Sequence, residues 1–150
     1  MKDFSREEAA VAVSGVVSMG LEIVAGRVVA PEFGSTIYTW GSIIGISMLA
    51  LSLGYHRGGK RSTDISGFEA LSSSLRLTSV YILFVMFLGE SIVTMSSSLP
   101  LGPMYAPLVP VTILFGPPTY FLGFISPYAA QLSSRESKGE ASGHFYAVGT

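Results

Sequence analysis

The sequence predicts an all-α, polytopic transmembrane bundle of four spans with N- and C-termini cytoplasmic. Composition, the spacing of uncharged runs and the placement of basic residues carry that expectation. Of 150 residues, 49% are hydrophobic and 13% charged, against about 25% charged in soluble domains. With 9 Lys+Arg against 10 Asp+Glu the net charge is −1, and no basic stripe is present to displace counterions from a phosphate backbone, so nucleic acid is not an expected partner. Cysteine is absent, which excludes disulfide staples, thiolate catalysis and Cys-ligated metal. His56 and His144 do not build a metal site alone, and no residue pattern asks for a cofactor.

The first span covers residues 9–30, where the apolar pattern continues past Glu22 and Arg27 for long enough to cross about 30 Å of hydrocarbon. Lys2 and Arg6 precede it as in a signal peptide, but Asp3, Glu7 and Glu8 spoil the basic leader and the run is too long, so the segment is expected to stay in the mature protein. The second span, 35–55, is uncharged, with Ile43, Ile44, Met48 and Leu51 on every face, as a helix surrounded by lipid or other membrane helices requires. The third, 77–96, is broken only by Glu90. The fourth, 105–132, lies in a stretch without formal charge between Glu90 and Arg135. A polar loop, 56–76, and a polar C-terminal segment, 133–150, complete a single transmembrane domain.

Short loops rich in Lys and Arg stay on the cytoplasmic side. Arg57, Lys60, Arg61 and Arg76 fall between the second and third spans, and Arg135 and Lys138 follow the fourth. The outer connections Pro31–Gly34 and 96–104 hold no Lys or Arg. Both facts agree with four crossings of the cell membrane that start inside. Tyr38, Trp40 and Tyr105 then fall at the outer headgroup level, as an aromatic belt does.

Three ionisable residues form a candidate intramembrane cluster: Glu22, Arg27 and Glu90. Each costs at least ~2.5–3.5 kcal/mol in the bilayer centre and needs a partner or a wet pocket. Counted at 1.5 Å per residue, both carboxylates lie about 20 Å into their spans. Arg27 is rotated about 140° from Glu22 on its own helix, so a bridge from Arg27 to Glu90 across helices is expected. Such a cluster binds a cation, relays a proton, or fixes helix register.

Gly41 and Gly45 form a GxxxG spacing on the second span, and Gly20, Gly26, Ser14 and Ser18 put small residues on the first; both patterns predict close helix packing. Gly116, Pro117 and Pro118 are expected to kink or break the fourth helix, because proline removes a backbone donor and clashes with the preceding turn. Thr112 and Thr119 are candidates to satisfy the carbonyls so freed. The break either lines a cavity, as in transporters, or statically shapes the bundle.

The run Gly20-Leu21-Glu22-Ile23-Val24-Ala25-Gly26-Arg27-Val28-Val29-Ala30-Pro31-Glu32-Phe33-Gly34-Ser35, continued by Tyr38-Thr39-Trp40-Gly41, Leu51–Tyr55, Gly58–Arg61, Ser126–Ala129 and Gly143–Thr150, resembles the membrane domain of spermidine-synthase-like, aminopropyltransferase-related integral membrane proteins. The resemblance implies a bundle that anchors or presents a cytoplasmic catalytic domain or partner. It also implies that a segment like Gly143–Thr150 opens a further membrane helix, so the chain is expected to be a fragment or a naturally short form. No glycine-rich strand–helix turn for an S-adenosyl cofactor is present, so aminopropyl transfer is not expected of these residues. The loop Gly54–Arg61 is similar to the basic turn of major-facilitator transporters. Two other readings stand beside the anchor: a transporter or half-transporter, polyamines included, that uses the intramembrane carboxylates, and a structural subunit of a larger membrane complex. In each, the lipid bilayer and further transmembrane helices or a cytoplasmic domain are the partners, and a homo- or hetero-oligomer is compatible.

Overall fold

The computed structural model describes residues 6–61 and 67–127. They form four helices and, among the described residues, no strand: α1 (Arg6–Phe33), α2 (Ile37–Arg61), α3 (Gly67–Ser97) and α4 (Leu108–Leu122). The apolar stretches Val11–Phe33, Ile37–Lys60, Ser72–Ser97 and Leu108–Pro127 are each long and apolar enough to cross a membrane. The chain is a multi-pass membrane protein. Its termini, the basic residues Arg135 and Lys138 and the segment 133–150 lie outside the described residues.

A three-residue connection makes α1 and α2 antiparallel neighbours. Gly34 closes α1 in the left-handed region (φ 76°) and its N–H donates to the Ala30 carbonyl at 2.8 Å, the glycine stop that relieves the last helical carbonyls. Thr39 then donates its hydroxyl to the Gly34 carbonyl at 2.8 Å. Beyond the turn the Trp40 ring lies over Gly26, where an added Cβ would sit 2.7 Å from the ring. Packing of the first two helices therefore rests on Gly26 and not on Gly41 and Gly45, around which nothing lies within 4 Å. Those two glycines point outward because the buried stripe of α2 is Thr39, Ser42, Ile43, Ser47, Ala50, Gly54 and Gly58.

That small-residue stripe receives α4. Gly54 and Gly123 face each other: a Cβ on Gly54 would stand 2.9 Å from the Gly123 Cα, and one on Gly123 would stand 3.0 Å from the Gly54 Cα. Gly58 meets Phe124 in the same way, at 3.1 Å. Only glycine allows two backbones this close, and in lipid, where burial supplies little drive, such approach yields the dispersion that holds helices together. The sequence of pairings, Ile46 with Gly116 and then Gly54 with Gly123, makes α2 and α4 parallel.

α4 is the central helix. It packs on all three others, whereas α2 and α3 barely meet. Over half of its apolar stretch is buried, against a third or less in the rest. Val111, Leu114, Phe115, Leu122 and the following Ile125 fill the core with Val29, Ile43 and Val85 from the surrounding helices.

The expected break at Gly116-Pro117-Pro118 does not occur: α4 runs unbroken through both prolines. Proline at 117 leaves the carbonyl four residues earlier without its donor, and the Tyr81 hydroxyl of α3 donates to that Ile113 carbonyl at 2.5 Å. Satisfaction comes from a neighbouring helix and not from Thr112, which is exposed. Ser14, Ser42, Ser79 and Ser96 likewise turn their hydroxyls onto carbonyls of their own helices, at 2.7–2.9 Å, so these polar side chains need no water.

The helices extend further than the apolar runs. α2 continues to Arg61 and α3 begins at Gly67, so most of the polar loop expected over 56–76 is helical.

Candidate functional site

On α1, Ser14, Ser18 and Glu22 follow one another at intervals of four and so share a face. That face does not close fully on its neighbours. With Gly15 and Met19 it meets Leu51 and Tyr55 of α2, Leu122 of α4 and Ser126 around a cleft of about 250 Å³. Glu22 stands at the centre of its span, eleven residues from Val11 and eleven from Phe33, or about 16 Å from either end. Tyr55 lies five residues before the end of α2's span at Lys60, so the cleft descends from Glu22 toward the side that holds the N-terminal end of α1 and the basic end of α2.

The cleft wall is mostly apolar, with one carboxylate and several hydroxyl-bearing side chains set into it. Glu22 is half-buried, and among the described residues no cationic side chain lines the wall around it. Among the described residues Glu22, Ser18, Tyr55 and Ser126 make no hydrogen bond, whereas the Ser14 hydroxyl donates to the Val11 carbonyl at 2.8 Å. A carboxylate, hydroxyls that accept as well as donate and an aromatic ring that attracts cations together form a receptor for positive charge. The volume is below the ~300–1,000 Å³ of drug-sized sites, which restricts the ligand to a small one. Among the described residues no group of His, Cys, Asp and Glu has the makings of a metal site.

The other two members of the expected cluster sit elsewhere. Arg27 and Glu90 are both exposed on the outside of the bundle. A Cβ on Gly89 of α3 would lie 3.9 Å from Val28 of α1, which puts Glu90 within about a turn of Arg27 in height and well above Glu22. The two carboxylates are therefore not level, because the third span begins at Ser72 and not at 77. On two parallel helices touching through Val28 and Gly89, the residue before the one and the residue after the other swing by about 100° toward the same side. Arg27 and Glu90 thus flank one groove, but no ion pair joins Arg27 to Glu90 or Glu22 among the described residues. At the outer end of that groove Ser97 donates its hydroxyl to the Glu32 carboxylate at 2.6 Å.

No protein family, no curated protein and no solved structure matches the chain. The site is defined by its own geometry.

Gly116 and Pro117 line a second cavity, of about 410 Å³, on the opposite face of α2, while Pro118 is buried in the core. Sequence reasoning found Glu22 because a lone carboxylate in an apolar run stands out. It took Ser14 and Ser18 for packing residues and missed Tyr55 and Ser126; the four-residue interval from Ser14 to Glu22 was the available signal for the first two.

Proposed function

We propose that this four-helix membrane protein binds a small protonated amine in the cleft at Glu22, and works as a transporter or half-transporter for such cations. The observation that carries the reading is a half-buried carboxylate at the centre of a membrane span, facing a largely apolar cleft that also holds the side chains of Ser18, Tyr55 and Ser126. A carboxylate at that depth is costly unless a positive charge or a proton meets it, and among the described residues no cationic side chain lines the cleft. By the distribution of Arg57, Lys60, Arg61 and Arg76 the cleft opens toward the cytoplasmic side of a cell membrane. Polyamines belong to the ligand class, since one protonated end fits the carboxylate while the methylene chain follows Leu51, Leu122 and Met19.

The test is calorimetric titration of the chain in lipid nanodiscs with spermidine and with a simple alkylamine, paired with flux into proteoliposomes. Glu22→Gln should abolish binding and flux while the helical circular dichroism is retained. Equal binding by Glu22→Gln would remove the cleft from consideration.

A second reading rests on the run from Gly20 to Ser35 and its continuation: a membrane domain similar to those of spermidine-synthase-like proteins, which anchors or presents a cytoplasmic catalytic partner. It predicts no flux from the chain alone, and amine-dependent activity only when a soluble partner is supplied.

A further inference from the structure

The cavity on the opposite face of α2 has a different character. Ile46, Leu49, Ala50 and Leu53 of α2 and Gly116 and Pro117 of α4 give it an apolar floor and walls, and its volume is about 410 Å³. Gly116 keeps the groove open, since the place of its missing side chain is bounded only by Ile46, 3.8 Å from an added Cβ. At one end the character changes abruptly. Arg57 closes the groove, its Nη1 donating to the Tyr120 hydroxyl at 3.1 Å with the guanidinium 5.9 Å from the centre of that ring. Tyr120 is itself braced edge-on by Phe124, at 5.0 Å between ring centres. One guanidinium N–H is thus used to fix the group in place, and the others remain for an anion.

The dimensions of the groove match one lipid leaflet. From Ile46 to Arg57 the rise is about 16 Å, half of the ~30 Å hydrocarbon thickness. Arg57 lies three residues inside the end of α2's apolar stretch at Lys60, from where a snorkelling guanidinium reaches headgroup phosphates. Lys60 follows within one turn and adds positive charge at that level. Basic pockets between membrane helices select anionic headgroups for this electrostatic reason.

From this shape and charge we infer that the α2–α4 groove is a binding site for an anionic phospholipid of the leaflet on Arg57's side, with one acyl chain along Ile46–Leu53 and Gly116–Pro117 and the phosphate on the Arg57 guanidinium. This site is separate from the Glu22 cleft, and its occupant has the opposite charge, so neither inference depends on the other.

Native mass spectrometry of the full chain released from nanodiscs of mixed phosphatidylglycerol and phosphatidylcholine tests it. The wild-type chain should retain one phosphatidylglycerol in preference to phosphatidylcholine. Arg57→Gln should weaken that preference about tenfold, the size expected for loss of one charge-assisted contact. Arg76→Gln, which removes a cation exposed on α3, should leave it unchanged, and Arg57→Lys should retain part of it. Equal loss in Arg57→Gln and Arg76→Gln would reduce the effect to general surface charge and overturn the site. A wild-type chain that holds both lipids alike would do the same, and this arm needs no variant to fold. A dimer in every lipid mixture that Gly116→Leu disperses would show that a second copy fills the groove instead.

Discussion

The charges of the membrane region differ in what surrounds them, and their substitutions should differ accordingly. Glu22 lines a cleft between helices, whereas Glu90 and Arg27 look outward. A charge that faces lipid in the folded bundle faces lipid in the separated helices too, so removing it eases insertion and leaves association almost untouched. Glu90→Gln should lower the apparent insertion cost of the third span by about 2–3 kcal/mol, less any relief from its nearness to the interface. The stability of the assembled bundle should move by no more than about 0.5 kcal/mol. A glycosylation-based insertion assay and steric-trap unfolding measure the two quantities separately; a clear loss of bundle stability would mean that Glu90 is paired in the folded protein. The sequence identified all three charges but not their directions, because the spans are apolar on every side and give no face from which to read orientation. Tyr81 was invisible for another reason: the carbonyl it satisfies becomes available only through Pro117, four residues beyond Ile113, and which neighbour reaches it is decided by tertiary packing. Tyr81→Phe should cost about 1 kcal/mol in the same unfolding measurement, and no loss would show that the bond is not needed.

At the scale of helices, the number of spans was plain from the sequence, since four runs of sufficient length admit few alternatives. The ends were less plain. Residues 56–61 and 67–76 read as a polar loop yet are helical, because hydropathy reports how apolar a stretch is and says little about where its helix ends. Packing glycines were harder still. Gly41 and Gly45 have the familiar spacing, but Gly54 and Gly58 share it, and only the crossing with α4 selects the second pair. Gly54→Ala drives a Cβ into the Tyr120 carbonyl oxygen, a clash with backbone that should destabilise the bundle by about 1–3 kcal/mol. Gly45→Ala meets open space and should change stability by less than about 1 kcal/mol. Thermal unfolding in detergent compares the two directly; a reversed order would contradict the α2–α4 crossing.

As a whole the molecule is a central helix wrapped by three others, with one acidic cleft between α1, α2 and α4 and one apolar groove with a basic end between α2 and α4. The two sites share α2 and use opposite faces of it. The absence of cysteine makes the cleft open to a clean measurement. Ser18→Cys introduces a single thiol on the cleft wall, one turn from Glu22, and its reaction with a membrane-impermeant maleimide reports whether water and a cation enter there. The thiol should react from the side bearing Arg57, a small protonated amine should slow the reaction several-fold, and Glu22→Gln should remove that protection. A thiol that stays unreactive, or protection that persists without the carboxylate, would contradict a cation site at Glu22.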